Sequence, residues 1–576
     1  MKHAKMICLL LSLSILFGLF AGCHAAPSEE TSYTPPVAES EASVPPATPS
    51  IQVPTEPEPS PLAEIAGSAL PEEPVPEVPT VSYPLYEEPV SFTWLDIRNP
   101  DYEQGVITEG LAENQVYRIA SEITGIEIEW DLRMDGTTTY ALMIAGGDYP
   151  DCWGSKLTDY YASFETAYEE EAIIDLTDLI QEYMPNYLTA LQSEKGLLES
   201  TYSDQGRMLS VMPINTGYTQ FGAQVRGDIM DELNLEMPET FDDMYNVLKA
   251  MKSAYPESQP MILSKDGSQN CSWLGGGLGV MTTVGWRPFV QMNLYQVDGT
   301  VKLGLLEPEY REYVEMIAKW YQEDLLYQDF FTNQGMGPPQ DVISSNTSFV
   351  WYGSVNEMPL LEEVLIDEDG YIVGMTDVTR NPGETIHLGD NTAKYVFSSG
   401  YTVSTDCEHP EYVLQYFDYL YSQEGKMLAN YGVEGETYTY VDGEPRFTDM
   451  ILANDTFSYV SALFKYCIYE GPFELDVGRY FSSFNDAQRE AVARWEANRD
   501  EAWNLPTAMT LTTEENEARS AIIAEMGTYC SEMILKFMTG ELPVAENWDT
   551  FTARIEDLGA QEIVDITQDA LDRFNN

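Results

Sequence analysis

The sequence predicts an α/β protein of more than one lobe, carried behind a long disordered linker. Three observations predict it. Beyond Ser91, strand-like and helix-like stretches alternate, as in helices laid on covered sheets. The chain has 576 residues, 44% hydrophobic and 22% charged, a globular composition too long for one ordinary core. From Ala26 to about Pro89 it reads APSEETSYTPPVAESEASVPPATPS…PEEPVPEVPTVSYPLYEEP, with nearly half of the 34 prolines. No Lys or Arg occurs between Lys5 and Arg98, so this stretch is stiffened by proline, extended by like charge and unable to form a core. As polyproline II at about 3.1 Å per residue it reaches on the order of 200 Å.

The elements follow in order. Lys2 and Lys5 precede MICLLLSLSILFGLFAG, an apolar run too short for a comfortable membrane span and typical of a signal peptide. It ends in LFAGC, where Ala21 and Gly22 before Cys23 resemble the lipobox of bacterial lipoproteins. Residues 1–22 are then the signal peptide, Cys23 carries lipid, and 23–91 are the anchor and linker, placing the protein on the extracellular face of the cell membrane. Further on, IEIEWDLRM reads as a strand with Ile126, Ile128 and Trp130 on one face. TFDDMYNVLKAMK is a helix capped by Thr240 with Asp243 at the third position, and PEYREYVEMIAKWYQ a second helix striped by Tyr310, Val314, Ile317 and Tyr321. NTSFVWYGS is a short buried strand, LGGGLG a flexible loop, IDEDGY a turn, and the chain after about residue 450 mostly helical.

Against 29 Lys+Arg stand 95 Asp+Glu, a net charge of -66, which repels phosphate backbones and excludes nucleic acid as a partner. The five cysteines beyond Cys23 (Cys152, Cys271, Cys407, Cys467 and Cys530) show no CxxC spacing and read as buried free thiols. No HExxH, serine-triad, Walker or dinucleotide pattern occurs, so the sequence offers no catalytic residue, metal site or cofactor.

An ordered series of segments carries a resemblance. GGDYPDCWG, IIDLTDLIQEYMPNY, VRGDIMDELNLEMPETFDDMYNVLKAMK, WYQEDLLYQDFF, HPEYVLQYFDYLYSQEGKMLANYGVEGETYTY and WDTFTARIEDLGAQEIVDITQDALDRF are together similar to the family 1 extracellular solute-binding lipoproteins of carbohydrate ABC importers, relatives of maltodextrin-binding protein. The acidic calcium loop of some relatives has no counterpart in SAYPESQPMIL. The resemblance implies a two-lobe periplasmic-binding-protein-like fold over 92–576, with hinge crossovers near Gly217–Val225, Tyr395–Val403 and Tyr431–Tyr440. Lobe 1 would hold about 92–220 and 400–435, lobe 2 about 221–399 and 436–576. It further implies a monomer that binds an oligosaccharide without turnover and delivers it to ABC permease subunits. The rivals are a surface glycoside hydrolase, which needs a carboxylate pair about 5–10 Å apart, and a glycan-binding adhesin. A sugar needs flat aromatic faces and fixed polar groups, so the candidate ligand residues are Asp151, Trp153, Trp286, Trp351, Tyr352, Tyr438 and Trp495. Arg226 with Asp228 reads as a structural pair, and Trp320 as helix core.

Overall fold

A computed structural model describes residues 81–576, apart from 98–108, 134–135, 155–162, 264–265, 268–271, 283, 286–292, 333–338, 368, 390–391, 397–399, 455 and 457. The first lobe grows from β1 (Val90–Ile97), whose alternation sends Phe92 and Trp94 into one core and Leu95 into a smaller one behind it. Helix α1 (Gln115–Thr124) begins where the Asn114 side chain accepts the Val116 and Tyr117 amides, and ends at Gly125, whose φ of 75° suits glycine. The predicted strand follows as β2 (Ile126–Arg133), parallel to β1 from Val90↔Ile126 to Ile97↔Arg133. Helix α2 (Gly136–Gly146) and strand β3 (Cys152–Gly154) come next, β3 parallel to β1 through Trp94↔Cys152. Trp94 centres an aromatic cluster, with ring centroids 5.1 Å from Trp130, 5.3 Å from Tyr117 and 5.0 Å from Phe417.

Strand β4 (Ile214–Thr216) leads out of this lobe, and β5 (Phe221–Arg226), buried at every residue, opens the second. Helix α3 (Phe241–Ala254) carries the Thr240–Asp243 capping box and buries Met244, Val247, Leu248 and Met251. The LGGGLG stretch departs from expectation: α4 (Ser272–Leu278) runs through it as helix. Its glycines allow close approach, since a Cβ on Gly275 would run into Thr282 and one on Gly277 into the Val378 carbonyl. A hairpin of β6 (Leu294–Val297) and β7 (Thr300–Leu303) precedes α5 (Pro308–Gln322), which buries Tyr310, Val314, Ile317 and, as expected, Trp320. Strands β8 (Val350–Ser354) and β9 (Ile372–Gly374) flank β5 antiparallel on either side.

The chain returns through β10 (Lys394–Val396), paired antiparallel with β4 in a two-stranded ribbon. Strand β11 (Tyr401–Val403) completes the first sheet in the order β11-β3-β1-β2. Helices α6 (Pro410–Tyr421) and α7 (Gln423–Tyr431) cover that sheet's core. Here the expected division needs correcting. The hairpin β12 (Tyr438–Val441) and β13 (Glu444–Phe447), with α8 (Tyr459–Tyr466), stays in the first lobe, burying Tyr438, Phe447, Ile451 and Leu463 against Tyr431. Asn114 amide donation to the Phe464 and Cys467 carbonyls, both at 2.6 Å, ties α8 back to α1. Ile468, Phe473 and Leu475 join the first core, Tyr480 touches both cores, and Phe484 lies in the second. The third passage is therefore at 477–485 and not at Tyr431–Tyr440.

The last segment adds α9 (Asp486–Glu496), α10 (Thr513–Met538), α11 (Val544–Asp557) and α12 (Ala560–Asn575) to the second lobe. Helix α9 lies flush on β5 and β9 because glycines face it. A Cβ on Gly222 would enter the Trp495 ring, and one on Gly374 would sit 2.6 Å from Ala491. Glu474 between Lys394 (2.8 Å) and Lys426 (2.9 Å) fastens the β10 crossing, and a buried Arg499–Asp377 pair lies inside the second lobe. Burial works to raise the Glu474 carboxyl, but the two lysines outweigh it and hold it below its ordinary range. Cys152, Cys407, Cys467 and Cys530 are free thiols, while Cys271 lies outside the described residues. Among the described residues no helix is long and apolar enough to cross a membrane.

Candidate ligand cleft at the lobe crossings

Between the two cores the chain runs through three passages, and each carries a tyrosine: Tyr218 before β5, Tyr395 in β10, and Tyr480 before α9. Tyr218 and Tyr480 stack at 4.5 Å with planes 25° apart, and Phe481 meets Tyr218 edge-on at 6.1 Å. Both tyrosines are half-buried. The second lobe surrounds this stack with polar groups. The Asn356 amide donates to the Tyr218 hydroxyl at 3.2 Å, and the Gln220 amide to the Ser354 hydroxyl at 3.4 Å. The Val355 amide donates to the Gln220 carbonyl at 2.9 Å, so the turn after β8 is pinned to the first passage. Two half-buried carboxyls complete the set. Burial raises Glu496, opposed by a hydrogen bond from Thr219, and burial raises Glu357, opposed by one at Ser354.

In the first lobe, β1, β2 and β3 run parallel and end together, and the space beyond such carboxyl ends is where open α/β sheets receive ligands. Asp96, last but one in β1, is only 2% exposed and accepts the Leu111 amide at 2.7 Å. Burial pushes its carboxyl up to about 6. Tyr140 closes the end of β3 by donating its hydroxyl to the Gly154 carbonyl at 2.8 Å. Chemically, the crossings offer what a neutral polyol needs: an aromatic surface for C–H faces, amides, a phenol and carboxyls for its hydroxyls.

The residues expected to bind sugar lie elsewhere. Asp151 is an interstrand stitch, accepting the Thr93 amide (2.7 Å) and hydroxyl (2.8 Å) while its own amide donates to that hydroxyl. Trp153 is 0% exposed, stacked on Tyr149 at 5.2 Å and packed with Leu95 and Ile173. Trp351 donates its indole N–H to Gln224 at 3.1 Å on the sheet face that α9 covers, and Trp495 donates to the Ala223 carbonyl at 2.9 Å. Tyr352 donates to the Phe221 carbonyl and lies parallel to Trp273; Tyr438 is buried beside Tyr431 and Phe447. Each of these aromatic faces is packed within its own lobe. Trp286 lies outside the described residues. Arg226 is the structural group expected: fully buried, it donates to Asp228, Asn346 and Asp367 and fixes the end of β5.

No family model matches the chain. It is 23% identical over 347 residues to Lipoprotein LipO of Bacillus subtilis, covering 58% of this chain and 65% of that one. It is 25% identical over 224 residues to the fructooligosaccharide ABC transporter substrate-binding protein FusA of Streptococcus pneumoniae, covering 36% and 40%. These matches thus span less than two thirds of either curated relative. In structure the coverage is far greater. FusA in complex with kestose superposes with a TM-score of 0.62 at 17% identity over 84% of this chain and 99% of that one. The solute-binding protein associated with an HMO-binding ABC transporter of Bifidobacterium longum infantis gives 0.63 at 17% over 84% and 99%. The fold is that of ABC-transporter solute-binding proteins.

Within this fold, the sequence reading does not single out Tyr218, Gln220, Asn356, Tyr480 or Glu496, which the structure brings together at the crossings. A signal existed for the first two. NTGYTQ falls in the stretch read as the first crossing, and an aromatic with an amide in a crossing has no lobe of its own to cover it. Tyr480 carries no such signal in the sequence, where the resemblance implies a third crossing near Tyr431–Tyr440.

Proposed function

We propose that this chain is the lipid-anchored, extracellular solute-binding subunit of an ABC importer. As a monomer it captures an oligosaccharide between its lobes and passes it, chemically unchanged, to permease subunits. The observation that carries the reading is the Tyr218–Tyr480 stack ringed by Gln220, Asn356 and Glu496, built from two separate crossings of a two-lobed fold. The likeness to FusA and to the HMO-transporter protein supports an oligosaccharide as the solute. Cys23 after its lipobox-like run supplies the anchor, and the acidic proline-rich linker holds the lobes away from the membrane.

The test is a thermal-shift screen of the intact protein against neutral oligosaccharides, kestose included, with product analysis of each hit. The expected result is a rise in melting temperature with at least one glycan, recovered intact, and a more compact scattering profile when it is bound. Released fragments would favour the hydrolase, and binding without compaction the adhesin. Cys23→Ala is expected to free the protein from membranes or stall its processing; normal cleavage with continued membrane attachment contradicts the anchor.

A further inference from the structure

A second cavity lies in the second lobe, lined in part by the 505–511 segment, whose Thr507 hydroxyl donates to the Lys394 carbonyl of β10 at 3.4 Å. It has a volume of about 430 Å³, with apolar walls from Leu294, Leu505, Met509 and Leu511 and polar contributions from Asn516, Thr567 and Arg519. Among the described residues no Asp or Glu lines it, in a chain where acids outnumber bases 95 to 29. Arg519 is the unusual member. Its partner among the described residues is the Asn516 amide oxygen at 3.5 Å, and its Nε is buried with no acceptor.

The sequence explains the vacancy. On α10 the residue one turn before Arg519 is Glu515, which would be its favoured (i, i+4) partner. That carboxylate is already committed, receiving both guanidinium nitrogens of Arg573 at 2.6 Å and the Thr512 amide of the capping box at 2.9 Å. One turn after Arg519 come Ile522 and Ile523, which offer no acceptor. A guanidinium is thus held half-buried beside the hollow with its Nε unpaired, and burial correspondingly lowers its affinity for the proton.

We propose that this cavity is a second ligand site, for a small monocarboxylate whose apolar body fills the leucine- and methionine-lined hollow while its carboxylate engages Arg519. A carboxylate matches the fork bidentately, and the strongly negative chain disfavours a polyanion there. The test is calorimetric titration of the intact protein with hexanoate and, as the uncharged control, hexanol. The expected result is one saturable hexanoate site, weakened about ten-fold or more in Arg519→Gln, with hexanol binding both proteins alike. Met509→Trp, which fills the hollow and leaves Arg519 in place, is expected to abolish hexanoate binding. Oligosaccharide binding is expected to be unchanged in both variants. Absence of saturable hexanoate binding, or equal affinity in Arg519→Gln, would overturn the proposal.

Discussion

The tryptophans of the lobes and the tyrosines of the crossings are all aromatic residues that could offer a ring face to a ligand, yet their surroundings differ. Trp153, Trp351 and Trp495 are at most 1% exposed, and two of the three give their indole N–H to acceptors in their own lobe. Tyr218 and Tyr480 are half-buried and stacked on each other, Tyr218 against the second core and Tyr480 against both. An indole buries more apolar area than any other side chain, so small lobes spend it on cohesion. A crossing must move when lobes close, and a ring with a hydroxyl tolerates water between ligands.

The strongest way to break this contrast is Trp153→Ala. As a core residue it is expected to cost about 3–5 kcal/mol of stability, read by chemical denaturation; a stable variant that loses only sugar affinity would reverse the assignment. Gly222→Ala drives a methyl into the Trp495 ring and is expected to cost about 1–3 kcal/mol, with a lower melting temperature and ligand affinity retained in the folded fraction. Tyr218→Ala and Tyr480→Ala act in the other direction. Loss of a stacking surface is expected to weaken oligosaccharide binding by about 1–3 kcal/mol, by analogy with base–aromatic stacking, while the ligand-free melting temperature changes little.

A pH dependence further sharpens the contrast between core and cleft. Asp418, 3% exposed in the first core, accepts the Tyr187 amide and the Asn186 side chain, and burial outweighs both to push it up to about 7. Asp96 at the strand ends is pushed up to about 6. Raised carboxyls favour the folded state while protonated. Their contribution is therefore complete below the ordinary value of 3.8 and is lost as pH rises through about 6 and then 7. Melting curves across this window are expected to decline for the wild type and to flatten in Asp418→Asn.

Local structure was legible wherever local physics decides it. The capping box at Thr240, the stripe of α5 and the alternation of β2 stand as the sequence predicts, because caps and periodicity are written in neighbouring residues. LGGGLG reads as a loop, but its glycines let α4 sit against Thr282 just beyond it and against Val378, a residue near only in the fold. The third crossing misled for a related reason. The resemblance implies a crossing near Tyr431–Tyr440, yet the hairpin there buries Tyr438 and Phe447 in the lobe just left. The site was hardest, since an aromatic at a strand end reads alike whether its own lobe covers it or a ligand does. Only tertiary placement separates Trp153 from Tyr218.

The most direct measurement is titration calorimetry of three proteins with the same neutral oligosaccharide: the wild type, Tyr218→Ala and Trp153→Phe. Phenylalanine keeps an apolar ring in the Trp153 site, so that variant isolates recognition from collapse of the core. The account predicts affinity about 5- to 150-fold weaker in Tyr218→Ala and unchanged in Trp153→Phe. Full affinity in Tyr218→Ala together with its loss in a folded Trp153→Phe would contradict it.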